Sequence, residues 1–411
     1  MPVDLSTTIC GQTLTTCVYN ASGPRTGSSD ALSKVASSRS GAVLAKSATV
    51  EEQTGNPLPR TFQADGKGSL NSEGLPNKGI DYYISQNTIE ESMGESGKPY
   101  FVSISGHNLA DNLDMLKKID KVSGISGVEL NLACPNVIGH PIIAYDFEQM
   151  DSVLSAVAKL KLKKPLGVKM PPYFDGPHFE QAAKVLNKYK SSISYAASIN
   201  TVGNALVIDT VAEMPAINPK GGFGGLSGPA VKYTALANVK KMRDLLDESI
   251  DVVGVGGVET GEDVFQFLLC GAQAVQVGTK HWIEGASCFD RIVGELEVLM
   301  EEKGYKSVEE FRGKLKPWSK AGASKSRAAK KKAGAGRSRA DQAKIPVGKG
   351  GILPTMIVSF LLGLLLATAA FSALGGEVSM GGFVPFGSLL KIHDELEGAR
   401  MGPRKKKVKE L

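Results

Sequence analysis

Eight short apolar runs, most of them separated by an amphipathic helical pattern, constrain this chain more than any other feature. They read "TCVYNASG", "GAVLAKSA", "YFVSISG", "GVELNLACPN", "PLGVKMPP", "YAASINTV", "DVVGVGGV" and "AVQVGT". They are short apolar runs that end in Gly, Asn, Ser or Pro, the pattern of buried strands that end in turns. Between them, "NLADNLDMLKKIDKV" sets Leu109, Leu113, Leu116 and Ile119 on one face. Likewise "GEDVFQFLLCGA" opens with two acids suited to a helix N-terminus and closes on Gly271. Strand–helix alternation predicts an α/β chain with a parallel sheet, and eight rounds within about 300 residues predict a closed (β/α)8 TIM barrel. An open doubly wound sheet would normally have fewer strands and carry a dinucleotide-binding fingerprint that is not found here. The opening "LSTTICGQTLTTCV" predicts a β-hairpin turning at Gly11-Gln12 and plugging the barrel.

The charge is divided unevenly. Of 48 Lys and Arg and 42 Asp and Glu in 411 residues, 17 basic but only 6 acidic residues fall from Ser319 onward. The tail therefore carries +11 and residues 1–318 carry −5, a balance that argues against nucleic acid as a partner of the body. Five cysteines without CxxC spacing predict neither a disulfide framework nor a metal site, and point to a reducing compartment. "MPVDLSTTICGQ" has no feature of a signal or transit peptide. Four regions are expected: a catalytic barrel over 1–318, a basic disordered linker over 319–351, a transmembrane helix over 352–374 and a tail over 375–411. The span rests on "ILPTMIVSFLLGLLLATAAFSAL", 23 residues without a charge. Within about 20 residues, five basic residues flank it on the N-terminal side (Lys332, Arg337, Arg339, Lys344, Lys349) against Lys391 on the other, which keeps the body in the cytosol. With the tail processed off, the barrel would be cytoplasmic.

A barrel of this kind holds its site at the C-terminal ends of its strands. Those ends offer Ala21-Ser22-Gly23, Lys46-Ser47, Asn131 to Asn136 around Cys134, Lys169, Asn200-Thr201, Gly256-Gly257 and Gly278-Thr279. The glycines let backbone N–H groups approach a phosphate, and the helix after Gly261 is expected to add its dipole. "GGFGGLSG" (221–228) adds glycines after the sixth strand along which a flat cofactor's chain could pass, and the segment 51–83, too long for a simple βα loop, reads as functional or disordered, with Asn71, Gly74, Leu75 and Asn77 placed to lie over the mouth. A phosphate seat beside two lysines fits flavin mononucleotide, with a plain sugar phosphate as the alternative.

Taken in order over residues 1–318, "AKS", "GSLNSEGLPN", "ELNLACPN", "GVKMPPYFD", "INTVGNALVID", "GGFGGLSG", "GVGGVETGEDV" and "VQVGT" resemble the dihydroorotate dehydrogenases. The likeness is greatest to their soluble class, which uses a cysteine base and fumarate as electron acceptor. The resemblance implies FMN as cofactor, oxidation of dihydroorotate to orotate in pyrimidine biosynthesis, and a homodimer. It makes Cys134 the general base. It implies that Lys46, Asn71, Gly74, Leu75, Asn131, Asn136, Asn200 and Thr201 hold the substrate. For the cofactor it implies Ala21, Gly23, Lys46, Ser47, Asn131, Lys169, Ile199, Gly228, Gly256, Gly257, Gly278 and Thr279.

The chain departs from that pattern in places. Glu73 stands where the family's loop usually has Met, so a side chain pointing inward would lower affinity for an anion. Ala133 replaces the usual Ser and Val255 a Cys, both expected to be mild. A C-terminal span has no counterpart in the soluble class. Two alternatives therefore stay open: the same oxidation with a membrane quinone as acceptor, and a membrane-tethered flavin-binding protein without turnover.

Overall fold

The computed structural model describes residues 2–64, 66, 68–133 and 142–328. Its eight expected strands all form: β1 (Val18–Asn20), β2 (Val43–Leu44), β3 (Tyr100–Ile104), β4 (Gly127–Asn131), β5 (Leu166–Met170), β6 (Tyr195–Ser198), β7 (Asp251–Val255) and β8 (Ala274–Val277). They make one parallel sheet in the order β1-β8-β7-β6-β5-β4-β3-β2. The two end strands meet across a seam. Gly41 N donates to Val18 O at 2.8 Å, and the buried Asn20 side chain takes the place of a peptide. Its Nδ2 donates to Leu44 O at 2.6 Å, and its Oδ1 accepts from Leu44 N at 2.9 Å. The result is the (β/α)8 barrel.

Helices cover the outside, among them Leu109–Asp120, where Leu116 and Ile119 are buried as the periodicity predicts, with Leu109 and Leu113 packed at the edge of the core. Ser28, Ser85, Asn108, Asp146, Asp175 and Thr260 each cap a helix by accepting from a backbone N–H of its first turn. Such caps contribute about 1 kcal/mol apiece. Strand alternation divides the core in two. Val18, Val43, Val102 and Val128 pack toward the helices. Tyr19, Leu44, Phe101, Tyr195, Ala197, Val253 and Ala274 fill the inside.

The N-terminal hairpin, Thr7–Ile9 with Gln12–Leu14, closes the bottom by inserting Ile9 and Leu14 into that inner cluster. Its turn is Cys10-Gly11, one residue earlier than the sequence suggested, with φ of 45° and 77°. A two-residue turn with both φ positive wants its glycine second, and Cys10 N is anchored to Asp251 Oδ2 at 3.2 Å.

The two segments outside the barrel strands that the sequence singles out pair with each other. Segments 51–83 and 221–228 are not simple loops: they contribute to a four-stranded antiparallel sheet ordered Val202–Leu206, Phe223–Ser227, Gly68–Asn71, Thr61–Ala64. Glycine-rich strands show no alternation, and Gly225 pairs with Asn71 across 154 residues of chain, so no local pattern announces them. Glycine is required there by space. A Cβ on Gly225 would lie 2.1 Å from Thr201 Oγ1, and one on Gly224 would lie 2.6 Å from Asn71 O.

Chain contacts separate Met1–Pro317 from Trp318–Leu411. In the second unit, residues 320–328 are helical and start on Ser319, whose Oγ accepts from Gly322 N at 3.1 Å. The start of the supposed disordered linker is thus a helix, consistent with the helix propensity of its Ala, Lys and Arg. The rest of the linker, the apolar run 352–374 and the tail 375–411 lie outside the described residues. No helix among the described residues is long and apolar enough to cross a membrane.

Candidate active site

The strand ends gather at one mouth, and three clusters can be told apart there. The first is a glycine cradle. Gly228, Gly256 and Gly257 have φ of 75°, 130° and 71°. A Cβ on Gly257 would lie 2.8 Å from Gly228 O, one on Gly228 would lie 3.4 Å from Thr279 Cγ2, and one on Gly278 would lie 3.8 Å from Ala21 Cβ. Four loops therefore approach so closely that side chains would fill the space between them. Ile199, buried, flanks Gly256, and its N–H donates to Val255 O at 2.8 Å. Alongside runs a ladder of hydroxyls: Ser22 Oγ is 2.9 Å from Ser47 Oγ, which is 2.8 Å from Ser103 Oγ. Gly23 N is held by Thr26 Oγ1 at 3.1 Å. Bare, positive-φ backbone at a strand-end cleft fits a phosphate-bearing cofactor.

The N-terminus of the helix Gly261–Leu269, which the sequence reading expects to add its dipole to that cradle, also meets carboxylates of its own protein. Its first-turn amides are already engaged: Asp263 N donates to Thr260 Oγ1, and Gly261 N donates to Glu295 Oε2 at 2.9 Å. Asp263 in turn accepts from Glu259 N and Thr260 N and pairs with Lys232 Nζ at 2.8 Å. Carboxylates thus already offset part of the positive end of this helix.

The second cluster is a set of amides. Asn131 Oδ1 accepts from Ala133 N at 3.1 Å and from Asn200 Nδ2 at 3.5 Å. Asn200 Oδ1 accepts from Thr201 N at 2.8 Å. Asn71 Nδ2 donates to Gly225 O at 3.3 Å. Beside them Gly74 and Leu75 are both left-handed, at φ of 70° and 54°. A leucine in that region is strained, and consecutive residues of this kind turn their N–H groups to one side. Cys134 and Asn136, which the sequence placed between these amides, lie outside the described residues.

Glu73, immediately before that turn, points at Arg60, with Oε2 3.1 Å from Nε. The Arg60 guanidinium also donates to Thr54 O at 2.7 Å and Asn56 O at 3.1 Å. The carboxylate that looked hostile to an anion is thus matched by a cation on the facing segment.

The third cluster lies beneath the mouth, and sequence reasoning found only one of its members. Lys169 Nζ donates to Gln276 Oε1 at 2.8 Å and lies 3.9 Å from Glu129 Oε1. Gln276 Nε2 donates to Glu129 Oε2 at 2.8 Å and to Tyr19 OH at 3.1 Å, and Tyr195 OH reaches Glu129 Oε2 at 3.3 Å. Glu129 and Gln276 are essentially inaccessible to solvent. Burial pushes the Lys169 ammonium below its ordinary range, opposed by Glu129, and holds both tyrosines well above theirs. The signal was available. In "GVELN" the charged Glu129 shares the inward phase of Asn131, and "AVQV" buries a glutamine in an otherwise apolar strand. Lys46 stands at the end of β2, almost wholly buried, with its N–H donating to Thr26 O at 3.0 Å.

Comparison with known proteins bears on what such a mouth does. A family model described as dihydroorotate dehydrogenase matches residues 4–300. Dihydroorotate dehydrogenase A (fumarate) of Lactococcus lactis subsp. lactis is 46% identical over 313 residues, covering 76% of this chain and 99% of the relative. The dihydroorotate dehydrogenase (fumarate) of Kluyveromyces lactis is 46% identical over 316 residues, and that of Saccharomyces cerevisiae 45%, each match covering 77% of this chain and 99% of the relative. The C-terminal extension is outside these matches. A solved structure of DHODH from Eimeria tenella in complex with ferulenol superposes with a TM-score of 0.63 at 22% identity, covering 76% of this chain and 88% of that one. That likeness carries the fold alone.

Proposed function

The chain belongs to the dihydroorotate dehydrogenase family, and on that premise we propose that its barrel oxidises (S)-dihydroorotate to orotate with FMN, in pyrimidine biosynthesis, passing the electrons to fumarate. The observation that carries this reading is the convergence, at one barrel mouth, of the glycine cradle, the Asn71–Asn131–Asn200 amides and the buried Lys169.

FMN, when bound, supplies the hydride acceptor. Ala21, Gly23, Ser47, Ile199, Gly228, Gly256, Gly257, Gly278 and Thr279 would hold it, with Asn131, Lys46 and Lys169 along its ring. Asn71, Asn131, Asn136, Asn200 and Thr201 fix the substrate's amide edges, and the Gly74 and Leu75 amides receive its carboxylate. Cys134 removes the proton from carbon 5 as the hydride departs from carbon 6. Lys169 would offset the negative charge of the reduced cofactor, and Lys46 would touch both cofactor and substrate. Anaerobic addition of dihydroorotate to the flavin-loaded protein tests the reading. The visible flavin band should bleach, and fumarate should restore it. A band that stays oxidised would overturn it.

The Glu73–Arg60 pair bears on affinity. Glu73→Met removes a negative charge near the substrate carboxylate and leaves Arg60 cationic. At an effective dielectric of about 20, with salt screening, orotate should bind roughly fivefold tighter. Arg60→Ala leaves Glu73 unmatched and should weaken binding. Flavin-perturbation titration with orotate reads both, and shifts of the same sign would refute the assignment.

Two statements about assembly belong to the same proposal. Leu206, Ile208, Val211, Met214 and Phe223 are exposed together around the sheet over the mouth, which supports a homodimer through that face. The uncharged run 352–374 and its basic flank support a membrane tether with the barrel on the cytosolic side. Sedimentation checks both: the full chain should pellet with membranes until detergent is added and then run as a dimer, with Val211→Asp shifting it to monomer.

A further inference from the structure

We propose that Glu129 is a positioning residue: it is the fixed counter-charge that keeps Lys169 protonated and, through Gln276, holds it toward the flavin. This rests on the FMN reading above.

The hydrogen-bond pattern has one chemically consistent orientation. Gln276 Nε2 faces Glu129 Oε2 at 2.8 Å and Tyr19 OH at 3.1 Å, so Oε1 faces Lys169 Nζ at 2.8 Å. Reversing the amide would set its oxygen against the carboxylate and its NH2 against the ammonium. Glu129 therefore determines which atom Lys169 meets, although the two charges are 3.9 Å apart. A carboxylate sealed inside the barrel is weak evidence of a stabilising role, although removing it alone would leave Lys169 uncompensated. Leu44 and Phe101 fill neighbouring inward positions, and well-packed apolar replacements of buried ion pairs are often neutral or stabilising. What the carboxylate supplies is charge. Without it the buried ammonium would lose its only ionic partner among the described residues and would release its proton.

The other titratable groups facing the cluster do not compete. Tyr19 from β1 and Tyr195 from β6 are held far above neutrality. Cys10, at the plug, is pushed up to about 12, and burial raises the Asp251 carboxyl beside it above its ordinary value.

The test is a dithionite titration, with mediator dyes, of the FMN-loaded full chain at several pH values. In the wild type, FMN should take up two electrons and one proton, because Lys169 is already charged. In Glu129→Gln, Lys169 is neutral opposite oxidised FMN and gains a proton when the flavin becomes anionic. Uptake then rises to two protons per two electrons, and the slope of potential against pH doubles. Adding Lys169→Met to Glu129→Gln removes the titrating amine and should restore the single-proton slope. An unchanged slope in Glu129→Gln overturns the proposal, as does a doubled slope that survives Lys169→Met. If Glu129→Gln holds no flavin, thermal unfolding of the flavin-free chains decides. Its loss of stability must be recovered by Lys169→Met, and a loss that persists overturns the proposal. A wild type that binds no FMN would sink the functional reading instead, while the unfolding comparison would still test the Glu129–Lys169 coupling.

Discussion

Replacing Cys134 with alanine is expected to leave FMN bound and slow its reduction by dihydroorotate by about 10²- to 10⁴-fold, the usual contribution of a positioned general base. Cys134 is not among the residues assigned to the cofactor, so the flavin spectrum and the affinity for orotate should change little. Rapid mixing under anaerobic conditions separates the two quantities. In the wild type the rate should climb with pH as the thiol ionises, because only the thiolate accepts a proton. Cys134→Ser, whose hydroxyl ionises far less readily, should recover activity only at the alkaline end. No cysteine among the described residues is primed to stand in. Burial pushes Cys10, Cys17 and Cys288 up to about 12 and raises Cys270. An alanine variant that reduces flavin at the wild-type rate would remove Cys134 from the mechanism.

How far the sequence was legible depends on how local the determinant was. Barrel strands announce themselves because each is a short apolar run closed by a turn residue, and all eight appear where they were read. The cradle was legible for a similar reason: Gly256, Gly257 and Gly278 follow directly on strands. The sheet over the mouth was not, because Phe223–Ser227 gains its partners from Gly68–Asn71 and Val202–Leu206, and its glycines carry no pattern. Nor was the fate of the Gly261 helix end, which depends on Glu295 reaching across from a later helix. Glu73 shows the same limit in a single side chain. Its identity raised the question of a repelled anion, and only the position of Arg60 answers it. Glu129 and Gln276 are readable by phase, but a lone polar residue in an apolar strand gains meaning only once its neighbours across the barrel are known.

The seam between β1 and β2 carries the other large effect. Every other neighbouring pair of barrel strands is joined by a backbone ladder, whereas this one relies on Gly41 N and on the Asn20 amide. Asn20→Leu keeps the volume roughly constant and orphans both the N–H and the C=O of Leu44 in a site without access to solvent. Each unsatisfied buried group costs about 1–3 kcal/mol, so a loss of about 4 kcal/mol is expected in denaturant or thermal unfolding. Asn20→Asp should be worse, since it removes the donor and sets a carboxylate against Leu44 O. The loss should also reach the site. β1 leads into Ala21, Ser22 and Gly23, β2 leads into Lys46 and Ser47, and the Ser22–Ser47 hydroxyl contact spans the same seam. If closure and flavin binding share this element, FMN should bind more weakly to Asn20→Leu. The stabilisation that saturating FMN confers, which grows with the logarithm of ligand concentration over Kd, should then be smaller than in the wild type. A variant that loses stability but gains the full increment from FMN would mean that the seam closes the barrel without shaping its mouth. One that loses less than about 1 kcal/mol would mean that the neighbouring strands hold the barrel shut without the amide.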